Sequence, residues 1–473
     1  MTATREVLAP GDGSSVGSVA ETPADEVPEL VSRARAAQPG WRRAAPHARA
    51  AVLRRAADVL RTRSDELGHL HARESGKVIT QARGEILGSA DLLDANAHVG
   101  RFDTGDLAPT GAVPRSDRDV TFVERVPLGV VVCVIPFNFP VELTVEKAAA
   151  ALVAGNTVIL KPPPQNPLAT MEAASVIIEA GLPANVLQVA PGGTELSAAL
   201  CASPGVDAVS LTGSVGAGVA VARATAEMLR PLHLELGGNG AMIVLDDADL
   251  EHAADEAIKG RLLMNGQACA ATKRIIASDR IADDLAALLE ARLGGVRVGD
   301  PTNEDSQVGP LIDERSASHV ADQVRRAVAD GGSLVSGRLE NDRAWFAPVL
   351  LAGVPGTAAV ASDDEIFGPV FPVIPVTDAD EAIGVANSSK LGLTAAVFSA
   401  DVSRAVAVAD ELDVGGVVIN GTNNYRPPVV PFGGVGLAGA GREGIGYTYE
   451  EMTRTKFIAL RNLRPERDPV VPS

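Results

Sequence analysis

The spacing of apolar and polar positions changes character along the chain. From about Asp25 to His98, Ala, Val and Leu recur at i, i+3 and i+4 opposite Arg and Asp, as in HARAAVLRRAADVLRTRSDELGHL. This spacing predicts amphipathic helices that each bury one face. Further along, Pro and Gly surround the alternating stretch Val120–Arg125, which predicts a strand exposed on one face. We expect such a strand to pair with another one, and a strand of a second subunit is one option.

From about Gly129 short apolar runs alternate with helical stretches. The runs VVVCVI, TVILK, VLQVA and AVSLTG are separated by segments such as VEKAAAALVAG and ATMEAASVIIEAG. A second alternating region extends from about Ala241 to Gly434. This rhythm predicts βαβ units, and therefore an α/β fold whose parallel sheets carry helices on both faces.

Composition narrows the possible partners and the compartment. A net charge of −18 disfavours binding to nucleic acid or to anionic lipid. The three cysteines are far apart without CxxC spacing, and the histidines form no HxxxH pair, so we expect neither disulfides nor a metal site. The first residues contain no apolar signal segment, and no apolar run approaches the roughly 18 residues needed to span a bilayer. We expect a cytoplasmic protein without a membrane partner.

Cys269 is the first candidate for chemistry. It lies in MNGQACAATKRIIA, after a small polar segment rather than on an apolar face. A thiolate there would be a strong nucleophile if its pKa were lowered or a base lay nearby. The alternative is a buried, inert cysteine, which suits the surroundings of Cys133 and Cys201 better.

Glu235 and Asn138 are candidates for the base and for an oxyanion donor. Glu235 lies in LHLELGGNG, where a strand-like context would bury its carboxyl and raise the pKa towards that of a general base; the alternative is an ion-paired glutamate. Asn138 lies in VIPFNFPVEL, where a rigid turn after an apolar run would aim its amide at a developing oxyanion. The alternative is an asparagine that caps the following helix.

A glycine-rich segment and a lysine suggest phosphate or ribose binding. Gly213, Gly216 and Gly218 in SLTGSVGAGVAVARA depart from the order GxGxxG, but they precede a helix whose N-terminus can face a pyrophosphate. Lys161 ends the run TVILK, where a cofactor lies in many open α/β sheets. Ordinary turn chemistry is the alternative for both segments.

Together these segments resemble the aldehyde dehydrogenase superfamily over nearly the whole chain. The motifs PFNFP, LTGS, LELGG, GQAC, EIFGPV and PFGGVGLAGAGREG occur in the family's order, and the 34 residues from Glu235 to Cys269 match the expected separation of base and nucleophile. The chain is most similar to the branch of lactaldehyde, succinate-semialdehyde and non-phosphorylating glyceraldehyde-3-phosphate dehydrogenases. Ala268 stands where the last of these usually has arginine, which weakens a triose-phosphate assignment.

The resemblance implies two parallel-sheet α/β domains and a small β region. The Rossmann-like cofactor domain would comprise residues 1–106 and 127–237, and the catalytic domain residues 238–437. Residues 107–126 and 438–473 would form an oligomerisation region, so that a homodimer or homotetramer is expected.

The resemblance also implies the catalytic roles. Cys269 would attack the aldehyde, Asn138 would donate its amide to the oxyanion beside the backbone N–H of Cys269, and Glu235 would activate the water that hydrolyses the thioester.

The cofactor positions follow from the same resemblance. Lys161 would contact the adenosine ribose, Ser214 the pyrophosphate and Glu365 the nicotinamide ribose, with Phe367 beside the nicotinamide. The remaining cofactor positions would be Ile135, Pro136, Phe137, Pro164, Gly213, Leu236 and Gly237.

Pro164 bears on the preference for cofactor, and Arg426 bears on the preference for substrate. NAD-preferring members commonly have glutamate where this chain has Pro164, so we expect NAD or NADP as cofactor, with NADP at least tolerated.

Arg426 lies in INGTNNYRPPVVPFGG, which is similar to the family's substrate-entrance loop. Its two options are contact with a carboxylate or phosphate on the aldehyde, and a solvated loop position. The expected substrate is a small aldehyde, with an anionic one as an option, such as a semialdehyde or lactaldehyde.

Two other functions remain open at this point. In a CoA-acylating aldehyde dehydrogenase, CoA replaces water as the acyl acceptor, and such relatives tend to lack the glutamate that Glu235 provides. A non-catalytic protein that keeps the fold is the second alternative, because fold alone does not establish function.

Overall fold

The computed structural model describes residues 3–102, 105–113 and 115–465. Parts of the predicted cofactor domain (1–2 and 103–104) and oligomerisation region (114 and 466–473) lie outside the described residues. The α/β fold with parallel sheets is confirmed: two large sheets are each covered by helices on both faces. The predicted domain boundaries stay a prediction.

The N-terminal region is helical, as its periodicity predicts. Its helices are Val27–Arg43, Pro46–Thr62, Ser64–Ser75 and Ile79–Phe102. Their apolar faces join the core of the first large sheet, where the indole of Trp41 also donates to the main-chain oxygen of Leu152 at 2.8 Å. A hairpin of strands Thr4–Leu8 and Ser15–Ala20, which the pattern did not predict, precedes the helices.

The first large sheet contains six strands within the described residues. In spatial order they are Gly439–Ala440, Leu232–Glu235, Ala208–Thr212, Val130–Val134, Thr157–Lys161 and Leu187–Val189. All are parallel except the first, an addition from the C-terminal region that was not predicted. The covering helices are Pro140–Ala154, Leu168–Glu179, Thr194–Ala202 and Val215–Thr225. Because parallel strands end at one edge, Val134, Lys161, Thr212 and Glu235 lie along the same edge of the sheet.

The second large sheet contains seven strands within the described part of the chain. In spatial order they are Ser333–Ser336, Val349–Ala352, Val370–Val376, Arg274–Ser278, Ala241–Val244, Thr394–Phe398 and Gly416–Ile419. Only the first is antiparallel to its neighbour. The covering helices are Leu250–Leu262, Ala282–Leu293, Glu314–Ala329, Ala379–Asn387 and Val402–Asp410. Cys269 precedes the strand Arg274–Ser278, which places it at the amino edge of this sheet.

A three-stranded antiparallel sheet contains the predicted exposed strand. The strand extends over Val120–Pro127 and pairs with Asp106–Ala108 on one side and with Thr453–Leu460 on the other. Both partners therefore belong to the same chain, and Phe457 on the outer strand is 72% exposed.

The remaining elements are short. They are the strand pair Leu391–Gly392 and Val435–Gly436, the helix Tyr447–Glu451, and the 3-10 turns Ala24–Glu26, Ala226–Met228, Leu263–Gly266 and Ala359–Ala361. Among the described residues, no helix combines the length and the apolar character needed to cross a membrane.

Candidate active site

A cavity of about 670 Å³ lies between the carboxyl edge of the first sheet and the loop that carries Cys269. All of the residues predicted to form the site line it. They are Cys269, Glu235, Asn138, Ile135, Pro136, Phe137, Lys161, Pro164, Gly213, Ser214, Leu236, Gly237, Glu365, Phe367 and Arg426. Side chains from segments up to about 290 residues apart are thus brought to one cavity, which is the arrangement their proposed roles require.

The loop before Cys269 has an uncommon backbone. Residues 264–266 have successive φ values of 51°, 57° and 82°. A Cβ on Gly266 would lie 2.3 Å from the carbonyl carbon of Gly368, so only glycine fits there. The side chain of Asn265 donates to two buried main-chain oxygens at 2.9 Å. These contacts fix the turn that presents Cys269 to the cavity.

The thiol of Cys269 is not activated by its surroundings alone. Burial raises its pKa to about 11. The Glu235 and Glu365 carboxylates also raise this pKa, whereas the Lys273 and Arg426 cations lower it. The thiol is therefore protonated at neutral pH in this arrangement, and its reaction requires a group that accepts the proton.

Asn138 is held by the nucleophile loop. Its side-chain Nδ2 donates to the main-chain oxygen of Gln267 at 2.9 Å, and its Oδ1 accepts from the backbone N–H of Phe139 at 3.1 Å. An amide nitrogen has two hydrogens, so one remains for a ligand. The alternative role as a helix cap does not hold, because the helix Pro140–Ala154 begins after Phe139 without a side-chain cap.

Glu235 is a buried carboxyl group without a hydrogen-bond partner. It is 3% exposed, and neither of its oxygens is bonded to any described residue. Burial, followed by the nearby Glu443 carboxylate, raises its pKa well above the ordinary value. An ion-paired glutamate, the alternative from the sequence, is therefore not what the structure contains. A buried, unpaired carboxyl in a cavity is typical of a general base.

Next to Glu235 lies a charge cluster that the sequence analysis missed. The carboxylate of Glu443 accepts from Lys147 Nζ at 2.6 Å and from Arg426 Nη2 at 2.8 Å. Burial would raise the pKa of Glu443, but the two cations outweigh it and lower the pKa to about 2. The cluster thus carries a net positive charge beside Glu235. The signal available in the sequence was Lys147 directly before the apolar run AAAALVA.

The guanidinium of Arg426 is bonded to Glu443 and is not exposed to solvent as a free cation. Its guanidinium lies 4.1 Å from the centre of the Phe432 ring, and its side chain is only 20% exposed. The alternative of a solvated loop arginine therefore does not hold. Contact between Arg426 and the substrate stays a prediction.

Lys273, also missed, connects the nucleophile loop to Glu365. Its ammonium donates to the main-chain oxygens of Gly238 at 2.5 Å and Cys269 at 3.1 Å, and it is bonded to Glu365 Oε1. A Cβ on Gly237 would lie 2.4 Å from Glu365 Oε2, which explains the need for glycine there. Glu365 is thus held at the cavity wall with Oε2 unbonded by the described residues.

The other end of the cavity suits a phosphate-bearing cofactor. Lys161 is 3% exposed, its ammonium group has no hydrogen bond or ion pair within the described residues, and burial lowers its pKa to about 8. Ser214 caps the helix Val215–Thr225 by accepting from the backbone N–H of Ala217 at 3.2 Å, so the helix N-terminus faces the same cavity. An unpartnered cation and a helix N-terminus fit the ribose and pyrophosphate groups of NAD or NADP.

Comparison with known proteins identifies the family. Residues 1–458 match the aldehyde dehydrogenase family, to which this chain belongs. The chain is 33% identical to the NADP(+) succinate-semialdehyde dehydrogenase GabD of Escherichia coli, over 96% of this chain and 94% of the relative. It is 36% identical to the vanillin dehydrogenase of an Amycolatopsis species, over 96% and 93% of the two chains.

Solved structures agree with this family. The NADP-dependent glyceraldehyde-3-phosphate dehydrogenase of Bacillus halodurans, solved with NADP, superimposes with a TM-score of 0.94 at 34% identity, over 97% of this chain and 96% of that one. The protein is therefore an aldehyde dehydrogenase that uses NAD or NADP, and the alternative of a non-catalytic protein with this fold is set aside.

Proposed function

We propose that this enzyme oxidises a small aldehyde to its carboxylic acid through a thioester on Cys269, and that water activated by Glu235 hydrolyses the thioester. The observation that carries the proposal is the unpaired, buried carboxyl of Glu235 in the cavity that also contains Cys269 and Asn138. A hydrolytic base needs such a carboxyl, whereas transfer of the acyl group to CoA does not.

In the first step the thiol proton of Cys269 passes to solvent water, and the sulfur forms a bond to the aldehyde carbon. The carbonyl oxygen gains negative charge, which the unused N–H of Asn138 and the backbone N–H of Cys269 stabilise. Each such donor is typically worth about 2.7–4 kcal/mol in the transition state. Bound NAD or NADP supplies the hydride acceptor that turns this adduct into the thioester.

Residues at the other end of the cavity would hold the cofactor. Lys161 and Ser214 would bind its ribose and pyrophosphate, and Glu365 and Phe367 its nicotinamide end. Pro164 has no carboxylate to bond the ribose hydroxyls or repel a 2′-phosphate, so we infer a preference for NADP. The NADP-dependent relatives named above support this inference.

In the second step Glu235 accepts a proton from water. The water oxygen bonds to the acyl carbon, the carbon–sulfur bond breaks, and the sulfur leaves as the thiolate of Cys269. The cationic side chains of Lys147 and Arg426 stabilise the ionised form of Glu235 at this stage, since both lower its pKa. Hydrolysis makes the overall oxidation effectively irreversible.

The proposed substrate is a small aldehyde, either a semialdehyde or a hydroxyaldehyde such as lactaldehyde. The named succinate-semialdehyde dehydrogenase supports the first option, and the similarity to lactaldehyde dehydrogenases supports the second.

Assembly, location and domain division are part of the same proposal. The exposed apolar side chains of Thr453–Leu460 favour a homodimer or homotetramer through the three-stranded sheet. The three free cysteines suit the reducing cytoplasm. The strands of the two large sheets support a division near residue 238, although Gly439–Ala440 pairs with the first sheet.

The test follows the near-ultraviolet absorbance of reduced cofactor with small aldehydes, with and without CoA. Wild-type enzyme and Cys201→Ala, a control that removes a buried thiol elsewhere, are expected to turn over without CoA. Cys269→Ala is expected to lose turnover and to keep cofactor binding. Turnover by Cys269→Ala, or an absolute requirement for CoA, would refute the proposal.

A further inference from the structure

Glu142 is a cavity residue for which the two catalytic steps have no use. It lies in the first turn of the helix Pro140–Ala154, where its backbone N–H donates to Glu85 Oε1 at 3.1 Å. Its side chain lines the cavity and makes no hydrogen bond or ion pair within the described residues. Burial raises the pKa of this carboxyl. A partly buried polar group without a partner is costly, and a ligand that bonds to it recovers that cost.

Glu142 lies on the part of the cavity wall that the helix Pro140–Ala154 forms, four residues after the proposed oxyanion donor Asn138. Cys269 and Arg426 line the same cavity. With the aldehyde carbon at the sulfur and its oxygen at Asn138, the carboxyl of Glu142 is available to the remainder of a short substrate.

An anionic tail does not fit this end of the cavity. When they are ionised, the carboxylates of Glu443 and Glu142 balance the cations of Lys147 and Arg426; Arg426 is bonded to Glu443 at 2.8 Å and lies over the Phe432 ring. A substrate carboxylate would thus add an uncompensated negative charge near the Glu142 carboxylate, and like charges repel.

A cationic tail does not fit either. Lys147 and Arg426 already balance the carboxylates of Glu443 and Glu142, so a cationic tail would leave this region with a net positive charge. The rings of Phe139 and Phe432 already have cations over them, Lys77 Nζ at 3.9 Å and the Arg426 guanidinium at 4.1 Å, so these ring faces do not offer a cation–π site.

What remains is a neutral hydrogen-bond donor. We propose that the Glu142 carboxyl accepts a hydrogen bond from a hydroxyl group on the substrate, and that the enzyme selects neutral hydroxyaldehydes over semialdehydes. The inference rests on the proposed function and narrows its substrate. The side chains of Leu143 and Leu263 form an apolar wall for the short carbon chain. The hydroxyl group itself is unchanged by the oxidation.

The test compares four small aldehydes. 3-Hydroxypropanal and butanal have nearly the same shape and differ by a hydroxyl in place of a methyl group. Succinate semialdehyde adds a negative tail and betaine aldehyde a positive one. Wild-type kcat/KM is expected to be at least about tenfold higher for 3-hydroxypropanal than for butanal, and lower for both charged aldehydes.

Two variants assign the preference to Glu142. Glu142→Leu removes the acceptor, so the ratio of kcat/KM for 3-hydroxypropanal to that for butanal is expected to fall to about one. Glu142→Gln keeps an acceptor oxygen and is expected to retain most of the ratio. A carboxylate in the first turn also stabilises the helix, so either variant can contain less folded enzyme than wild type. The comparison therefore uses the ratio of the two kcat/KM values within each variant, because a loss of folded enzyme does not change that ratio.

Several outcomes would overturn the inference. They are an unchanged ratio in Glu142→Leu, and a wild-type preference for succinate semialdehyde or for betaine aldehyde. None of these affects the proposed function, which fails separately if butanal is turned over by Cys269→Ala.

Discussion

The side-chain nitrogen of Asn138 donates a hydrogen bond of 2.9 Å to the main-chain oxygen of Gln267, two residues before Cys269. This bond joins the turn that follows the strand Val130–Val134 of the first sheet to the loop that carries the nucleophile, which precedes a strand of the second sheet. It fixes the amide plane and leaves the second N–H available. The bond therefore fixes the position of the proposed oxyanion donor relative to the loop that carries the nucleophile.

Asn138→Ala should lower kcat by about 100- to 1000-fold, because the oxyanion loses one of its two donors. Cofactor affinity, measured by fluorescence titration, should change little. Asn166→Ala is a useful control, since Asn166 bonds the main-chain oxygen of Phe137 at 2.8 Å without being a proposed donor. A loss of less than about threefold in Asn138→Ala would remove this residue from its role.

The activity should increase with pH, and Arg426 should set where it does. The Cys269 thiol has a pKa raised to about 11, so its thiolate fraction increases tenfold per pH unit below that value. Arg426 lowers the pKa of both Cys269 and Glu235. Arg426→Gln should therefore move the profile of kcat/KM to higher pH by roughly one unit, and Arg426→Lys should restore part of the shift. An unmoved profile in Arg426→Gln would contradict this coupling.

Pro164→Glu should reverse the preference for cofactor. A carboxylate at this position would bond the ribose hydroxyls of NAD and repel the 2′-phosphate of NADP. We expect the ratio of kcat/KM for NADP to that for NAD to fall by at least about tenfold. Gln165→Glu adds the same charge one residue further along the cavity wall and serves as the control. Wild-type enzyme that is more efficient with NAD would already refute the NADP preference.

Glu85 should stabilise the fold above about pH 4.5 and lose this effect in acid. Burial would raise its pKa, but Lys77 and His71 outweigh burial and lower it from 4.5 to about 2. A carboxyl with a lowered folded-state pKa stabilises fully above its unfolded value, and the effect disappears as the pH falls from about 4.5 through about 2.

Glu85→Gln leaves Lys77 buried without its partner, at a cost of about 3–5 kcal/mol. The midpoint of thermal unfolding should fall at pH 7, and the difference from wild type should shrink towards pH 3. Glu66→Gln, on the exposed face of a neighbouring helix, should have little effect. A difference that is independent of pH would show that the charge is not responsible.

Contiguous patterns allowed much of the fold and site to be predicted. The helical periodicity indicated the helical N-terminal region, and the alternating runs indicated two regions of strand–helix alternation, which contain the two large sheets. Each of the segments that contain Cys269, Glu235 and Asn138 left a structural alternative open, and the order of the motifs along the chain, which resembles that of a known family, selected these three residues. They line one cavity, and their catalytic roles stay a prediction.

Contacts between residues that are far apart in the sequence could not be predicted from local patterns. Lys147 and Glu443 are 296 residues apart, and neither segment shows that a buried lysine will meet a carboxylate already bonded to Arg426. For the same reason Arg426 was considered only as a substrate contact or a solvated residue. The strand Gly439–Ala440 was missed because two residues carry no periodicity, and its place beside Glu235 follows from long-range packing alone.

The most direct test of the central claim is to trap the acyl-enzyme. Glu235→Gln, mixed with NADP and a small aldehyde and quenched in acid, is analysed by intact-protein mass spectrometry and peptide mapping. We expect a burst of reduced cofactor of about one equivalent per subunit, then a stall, with the acyl mass added to the peptide that contains Cys269. Steady turnover equal to wild type without any adduct on Cys269 would contradict the account.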